Sequence, residues 1–370
     1  MQYRTFGKTG LEVSALGFGT MRLPLLEDGK TIDEKEAAAI IRHAIDEGVN
    51  YVDTAYPYHD GNSEIVLGKA LQDGYRQKVY IADKSPMWLL EEESDFDKYL
   101  DEQLQKLGTD HIDFYLFHAL NRERFEEKVK KFNLLDHAKA AKAAGKINHI
   151  GFSFHGDLET FKEIVDYTDE WEFCQIQYNY INLEYQAGTE GLRYAADNGL
   201  AVVIMEPLLG GRLANLSAHV GPMFSSDKTA VEHALDFLWN QKEVSLLLSG
   251  MSSRQQVEDN LVYASRSSVG MLDEEQLAVY GKVKEVYDKT SMVECTGCAY
   301  CMPCPFGLNI PELFKAYNMY GLKSEHGMRK LYDPLEVKAD ACRSCHKCEK
   351  VCPQGIKISE NMKKIAELMK

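Results

Sequence analysis

A closed α/β barrel of eight strand–helix repeats, followed by a small, mostly helical, cysteine-rich module, is the fold class that this 370-residue sequence predicts. Three observations predict it. Between about residue 13 and residue 264, short apolar runs alternate with helix-like stretches eight times, and eight units close a barrel. The glycine-rich turn of an open, doubly wound sheet does not occur. Its nearest approach, Gly17-Phe-Gly19-Thr-Met-Arg22, lacks a third glycine, and Pro24 follows where a helix would begin. Finally, eight of the nine cysteines lie between Cys295 and Cys352. The length suits an enzyme-sized core with an appendage. We place the barrel at residues 1–270, a linker or helix at 271–290 and the cysteine-rich domain at 291–370.

The runs rich in Val, Ile, Leu and Phe are Ala15–Phe18, Tyr51–Asp53, Val79–Ala82 and Ile112–His118, then Ile147–Ser153, Phe173–Tyr178, Ala201–Met205 and Val244–Leu248. The first helix is predicted by Ala37, Ile40, Ile41, Ala44 and Ile45 on one stripe, after Asp33 and Glu36 placed as a capping box. Gly48 stands where a helix end favours a left-handed residue. The acidic stretch Glu91–Asp101 reads as a solvated helix entry, and Lys139–Lys146 as an exposed helix face. Pro311–Leu331 has helical spacing inside the cysteine-rich module. Cys174, in an apolar run, reads as a core residue. His155 and His346 read as surface or ligand-supporting histidines.

Lys plus Arg number 42 against 57 Asp plus Glu, a formal charge of −15. That argues against a nucleic acid or an anionic membrane as the main partner, because phosphate binding needs a basic face. No run of about 18 apolar residues is present to span a bilayer. The opening Met1-Gln-Tyr-Arg-Thr-Phe6 lacks the apolar core of a signal peptide, so a cytoplasmic protein is expected. Asn215-Leu-Ser217 matches a glycosylation acceptor, without meaning in that compartment.

Barrel active sites sit at the C-terminal strand ends, so polar residues there should form a coherent set. Asp53 ends the second run, with Tyr58 five residues on; Lys84 ends the third, His118 the fourth and Ser153 the fifth. Gln175 lies in the sixth and Glu206 follows the seventh. Asp, Tyr, Lys and His at one mouth make a proton-donor constellation.

Over residues 1 to about 265 the chain resembles the aldo-keto reductase family. The motifs that carry the resemblance are Leu16-Gly-Phe-Gly-Thr-Met21, Asp53-Thr-Ala-Tyr-Pro-Tyr58, Asp83-Lys84, Leu116-Phe-His118 and Gly151-Phe-Ser153. Gln175-Ile-Gln-Tyr-Asn179, Pro207-Leu-Leu-Gly-Gly-Arg-Leu213, Gly250-Met-Ser-Ser253 and Gln256-Val-Glu-Asp-Asn260 follow in the same order. The resemblance implies a TIM barrel oxidoreductase acting on a small carbonyl or alcohol. Tyr58 would protonate the carbonyl oxygen while a nicotinamide hydride, from NADP(H) or NAD(H), reaches carbon. A free tyrosine with a pKa of about 10 is a poor acid–base catalyst near neutrality. A neighbouring Lys84 ammonium favours the phenolate; Asp53 would hold Lys84, and His118 would share the substrate oxygen or relay the proton.

Cofactor contacts are implied at Gly19, Thr20, Met21, Ser153, Gln175, Gly210, Gly211, Arg212, Gly250, Ser252, Gln256 and Asn260. Three features depart from the family pattern. The Asn that follows the serine is Phe154, the nicotinamide-stacking aromatic is Met205, and neither Gly250 nor Gln256 supplies the usual cation for a 2′-phosphate. Arg254 and Arg212 are the candidates to replace it.

The cysteines run Cys295-x₂-Cys298-x₂-Cys301-x₂-Cys304-Pro305 and Cys342-x₂-Cys345-x₂-Cys348-x₃-Cys352-Pro353. The second run matches the bacterial ferredoxin spacing for a [4Fe–4S] cluster, and the first is one residue shorter in its last gap. Zinc ribbons pair distant Cys-x₂-Cys knuckles and fit less well. The tail therefore resembles a ferredoxin-like iron–sulfur domain with two 4Fe-4S clusters. By analogy, Cys295, Cys298, Cys301 and Cys352 would hold one, and Cys342, Cys345, Cys348 and Cys304 the other.

Hydride moves two electrons whereas such a cluster moves one, so three arrangements follow. The barrel is a nicotinamide-dependent carbonyl reductase beside structural or sensing clusters; or FMN replaces the nicotinamide and passes electrons to the clusters; or an idle barrel docks a redox partner protein. The intact Asp53, Tyr58, Lys84 and His118 set argues against the third.

Overall fold

The structure is a computed structural model that describes residues 1–216, 220–225, 227–322 and 324–370. Ser217 of the acceptor triplet lies outside the described residues. The chain divides into two compact units: Met1–Pro207 with Glu232–Asp273, and Leu208–Val231 with Glu274–Lys370.

The first unit is a closed barrel of eight parallel strands. In chain order these are Leu16–Gly19, Tyr51–Asp53, Tyr80–Ser85, Ile112–Leu120, Ile147–Phe154, Phe173–Gln177, Ala201–Met205 and Leu246–Gly250. Each falls on one of the eight apolar runs. Such strands are apolar throughout because both faces are buried, one in the barrel and one under helices. The eighth begins two residues later than the run and reaches Gly250, because Leu247–Gly250 pair in register with Leu16–Gly19. The fourth runs past His118 to Leu120 through a register shift between Phe117 and Leu120.

An antiparallel hairpin, Tyr3–Thr5 with Glu12–Ser14, precedes the barrel. Its Phe6 is fully buried against Tyr51, Phe114 and Phe173 near the N-terminal strand ends. Gly7 is required there. Its φ is +50, and a Cβ would lie 2.4 Å from the amide nitrogen of Ala201. The helix Glu34–Asp46 is capped by Asp33, which accepts from the Glu36 amide at 3.0 Å, and it buries the expected five-residue stripe. Gly48 follows it at φ +98. Cys174 is fully buried in the sixth strand.

The second unit holds no strand among its described residues. Its helices Glu274–Thr290, Ile310–Gly321, Glu325–Tyr332 and Ile358–Leu368 enclose a core that includes Leu313, Phe314, Met328, Met362 and Ile365. Asn309 caps the second of these helices from the Glu312 amide, with Pro311 in its first turn. The helical spacing of Pro311–Leu331 is divided between two helices, because Ser324 caps the Glu325–Tyr332 helix by accepting from Gly327 N–H at 3.1 Å. No helix among the described residues is long and apolar enough to cross a membrane.

Candidate functional site

The parallel register sets Asp53, the last residue of the second strand, beside Gly19 and Ala82. Asp53 is 2% exposed and Lys84 is fully buried, so each needs a counter-charge. Lys84 Nζ donates to both Asp53 oxygens and to the Thr54 carbonyl, each at 2.7 Å. These contacts use the ammonium's full donor capacity and fix it 5.2 Å from the centroid of the Tyr58 ring. Burial pushes the Asp53 carboxyl up from its ordinary value, against the opposing pull of Lys84.

Tyr58 opens a short turn, Tyr58–Gly61, in which His59 and Asp60 take left-handed backbone conformations. The His59 ring accepts from the Leu23 amide at 3.2 Å, tying this loop to the segment after the first strand. Burial lowers the His59 pKa and so favours the neutral, accepting ring. Thr20 Oγ1 donates to the Asp53 carbonyl at 2.9 Å and accepts from Ser63 at 2.7 Å, bracing the same strand end.

His118 sits where the fourth strand shifts register. Ala119 beside it has φ +53, and its amide donates to Ser153 Oγ at 2.6 Å. Ser153 therefore holds the bulge that presents His118. The imidazole stands edge-on to Tyr58 with ring centroids 6.4 Å apart and lies 5.2 Å from the Trp88 ring. Burial first, then the charges of Lys84 and Arg124, hold its pKa well below the ordinary value, so the ring is neutral at neutral pH. Its Nδ1 is buried without a hydrogen-bond partner.

Gln175 Nε2 donates to Met205 Sδ at 3.6 Å, while its buried Oε1 lacks a donor. An orphaned amide oxygen of this kind fits the N–H of a bound carboxamide. Phe154 packs edge-on to Phe161 of the helix Leu158–Asp166, with centroids 5.1 Å apart. The departure at Phe154 thus belongs to the strand–helix layer. Gly19, Thr20 and Met21 form the end of the first strand and the turn after it. Ser252 is tied to that turn, donating from Oγ to the Arg22 carbonyl at 2.7 Å, and Gln256 accepts from the Ser252 amide at 2.7 Å. Asn260 donates to Ser249 Oγ at 3.0 Å. A Cβ on Gly250 would meet the Arg22 side chain at 3.2 Å. The Arg254 Nε pairs with Glu258 at 2.8 Å.

Gly210, Gly211 and Arg212 belong to the second unit. There a Cβ on Gly210 would fall 1.8 Å from the Thr296 carbonyl oxygen. Arg212 donates to Ser291 at 3.0 Å, pairs with Glu294 at 3.3 Å and lies over the Tyr287 ring. Sequence reasoning passed over Trp88, Arg124, Arg22 and His59. An aromatic just after Pro86 on the third-strand loop was the one available signal among them.

The eight clustered cysteines line two cavities in the second unit. Cys295, Cys298, Cys301 and Cys352 line one, against Phe314 and Ile356. Cys304, Cys342, Cys345 and Cys348 line the other, against Leu308 and Met362. Ile310 and Ile358 line both, so the cavities are neighbours. Burial, then the neighbouring thiols, pushes the Cys301 thiol up to about 12; burial, then Glu349, takes Cys348 to about 11. Metal binding reverses that preference, because the ligand form is the thiolate. Among the described residues, no three His, Cys, Asp or Glu side chains converge closely enough to hold a single metal ion. Four thiols spread around an apolar-walled cavity suit a cluster better than a tetrahedral zinc. His346 lines the second cavity with its Nδ1 2.9 Å from Glu349, and His155 contacts Gln186 at 3.2 Å.

The aldo/keto reductase family model matches residues 15–230, and a 4Fe-4S dicluster domain model matches residues 294–356. The chain is 30% identical over 308 residues to the L-galactose dehydrogenase of Arabidopsis thaliana, covering 75% of this chain and 92% of that one. It is 31% identical over 245 residues to the uncharacterized oxidoreductase YrpG of Bacillus subtilis, covering 58% of this chain and 68% of that one. Among solved structures, it shares its fold with the holo form of the aldo-keto reductase AKR11C1 from Bacillus halodurans. That match has a TM-score of 0.65 at 24% identity and covers 76% of this chain and 96% of the other. Barrel, motif order and cysteine cavities thus agree with both family matches, and the chain is an oxidoreductase of the aldo/keto reductase family that carries a 4Fe-4S ferredoxin-type domain after its barrel.

Proposed function

We propose that the barrel reduces a small carbonyl compound, or oxidises the corresponding alcohol, with Tyr58 as the proton donor and acceptor. The observation that carries this reading is the fixed Lys84 ammonium, bound to Asp53 at 2.7 Å and held 5.2 Å from the Tyr58 ring. A positive charge at that distance favours the phenolate, and bringing a phenol's pKa towards neutrality makes it a useful acid–base group. His118, neutral and edge-on to Tyr58, orients the substrate oxygen rather than delivering a proton. The orphaned Gln175 Oε1, with Ser153 beside it in register, supports a carboxamide-bearing nicotinamide at the mouth. When bound, that group supplies the hydride, two electrons and one proton nucleus, to the carbonyl carbon.

The second unit, on the same reading, carries two 4Fe-4S clusters, one in each four-cysteine cavity, and these supply one-electron chemistry when present. The division of ligands, Cys295, Cys298, Cys301 and Cys352 against Cys304, Cys342, Cys345 and Cys348, is supported by the lining of the two cavities.

The test is Tyr58→Phe, assayed with a panel of short aldehydes and 2-oxo compounds and with dinucleotide binding followed by fluorescence. The reading predicts loss of carbonyl reduction with dinucleotide binding retained. Full activity in that variant would remove Tyr58 from the chemistry.

A further inference from the structure

The acid–base set leaves unused a second group of buried charges next to Lys84. Asp83 precedes Lys84 on the third strand, Glu64 lies on the helix Ser63–Ala70, and both are fully buried. Asp83 Oδ1 accepts the Lys84 amide N–H at 2.8 Å. Glu64 Oε1 accepts from Gln103 Nε2 at 3.0 Å, and the same nitrogen donates to the Lys84 carbonyl at 3.1 Å. The Tyr115 hydroxyl donates to Gln103 Oε1 at 2.7 Å, which orients the amide so that its nitrogen faces the two acceptors. Two oxygens remain. Glu64 Oε2 faces the Lys106 ammonium at 3.1 Å, whereas Asp83 Oδ2 is buried and no hydrogen bond from the described residues reaches it. Glu64 acts on the Asp83 carboxyl through its charge and, more weakly, through a side-chain hydrogen bond.

A second ionised carboxylate with a buried, unpartnered oxygen does not persist beside Glu64 in an interior of low polarity. Both cations already have carboxylate partners without Asp83: Lys84 has Asp53, and Lys106 is shared by Glu64 and Glu102. We propose that Asp83 is a neutral carboxylic acid whose O–H donates to Glu64, so that the two groups share one proton and Asp83 serves as a positioning residue for Lys84. One proton gives the orphaned Asp83 Oδ2 a partner in Glu64. It also leaves Asp53 as the only carboxylate bound by the ammonium. Burial first, then the charge of Glu64, pushes the Asp83 carboxyl well above its ordinary value. The groups around this pair are Lys84 on the same strand, Tyr115 on the fourth strand, and Lys106 on the helix Asp95–Leu107, where Glu102 shares Lys106 at 3.0 Å and the charge of Asp97 acts on Tyr115. Tyr115 stays neutral, since burial first and Asp83 second raise its pKa well above the ordinary value.

The positioning role rests on the proposed part of Lys84 in tuning Tyr58; the shared proton itself does not. Infrared difference spectroscopy of the full chain reads the proton without turnover. At about pH 8, where an ordinary carboxyl with a pKa near 4 is ionised, the native protein should show a protonated-carboxyl stretch that shifts on deuteration. Asp83→Asn should lose it. Absence of the band in the native protein, or its persistence in Asp83→Asn, would overturn the proposal. In the kinetic arm, Asp83→Ala should lower kcat by about tenfold or more, and Asp83→Asn should restore it to within about threefold, because an amide N–H can replace the acid's O–H toward Glu64. Equal loss in both variants would mean that Asp83 acts as a carboxylate, contrary to the proposal. Where neither variant folds, the band in the native protein decides alone. Activity in Tyr58→Phe would remove the Tyr58 reading and leave the infrared result standing, so the two failures are distinguishable.

Discussion

Gly210 and Gly211 are neighbours, both left-handed with φ +64 and +90, but a side chain at each would meet different surroundings. A Cβ at Gly210 would lie 1.8 Å from the Thr296 carbonyl oxygen and 2.5 Å from its carbon, whereas a Cβ at Gly211 meets nothing within 4 Å among the described residues. Alanine at either position carries the left-handed backbone cost of about 1–2 kcal/mol. At Gly210 the new methyl must also displace backbone, adding roughly 1–3 kcal/mol of overpacking. The totals are about 2–5 kcal/mol for Gly210→Ala and about 1–2 kcal/mol for Gly211→Ala. Against a domain stability of about 5–15 kcal/mol, the difference is measurable. Thr296 stands between Cys295 and Cys298 in the wall of the first cysteine cavity. Gly210→Ala should therefore weaken iron binding there as well, and Gly211→Ala should not. Urea unfolding of anaerobically prepared full-length protein, followed by circular dichroism and by the iron–sulfur absorbance, gives both quantities. Equal losses in the two variants would refute the close packing of Gly210 on Thr296.

Further outcomes follow from the same geometry. Lys84→Met leaves Asp53 buried without its ion-pair partner, and the expected loss is about 3–5 kcal/mol of stability in denaturant unfolding, together with activity. Cys345→Ser should lower bound iron by the share of one cluster while the far-ultraviolet signal of the barrel persists; unchanged iron content would contradict the ligand assignment. Burial alone would raise Glu172, but hydrogen bonds from His149, Lys142 and the Ile150 amide bring it down to about 2 from its ordinary 4.5. A folded value below the unfolded one gives stability that is present above about 4.5 and lost as pH falls towards 2. The thermal midpoint should therefore drop between these values, and Glu172→Gln should flatten that acid limb.

The strands were legible because each is buried on two faces and so reads as an apolar run between polar helices. Helix capping was equally local: Asp33 and Glu36 are three residues apart, and their contact needs nothing else from the fold. Spacing marked the two four-cysteine runs, but the grouping of Cys352 with the first run and of Cys304 with the second came only from the likeness to two-cluster ferredoxins, and the two cavities are lined in the same groups. Asp53, Tyr58, Lys84 and His118 could be placed at one mouth because parallel strands of a closed barrel all end on the same rim. What the sequence hid is long-range. Nothing local signals that Leu208–Val231 packs with the second unit, since Gly210 meets Thr296 across more than eighty positions. The bulge at Ala119 depends on Ser153 of the adjacent strand. The Asp83–Glu64 pair depends on a helix and a strand meeting side by side. Phe154 looked like a change at the cofactor because an apolar residue at a strand end does not reveal which face it serves; its contact with Phe161 does.

On the proposed function, the barrel works with a nicotinamide and Tyr58 while the clusters stand apart from the hydride step. An absorbance titration of anaerobically purified protein with NADPH and then NADH addresses it most directly. The expected spectrum is a broad brown band that neither nucleotide bleaches, with no flavin peaks beneath it. Resolved flavin absorbance, or bleaching of the band by either nucleotide, would contradict it and make the barrel cofactor an electron donor to the clusters.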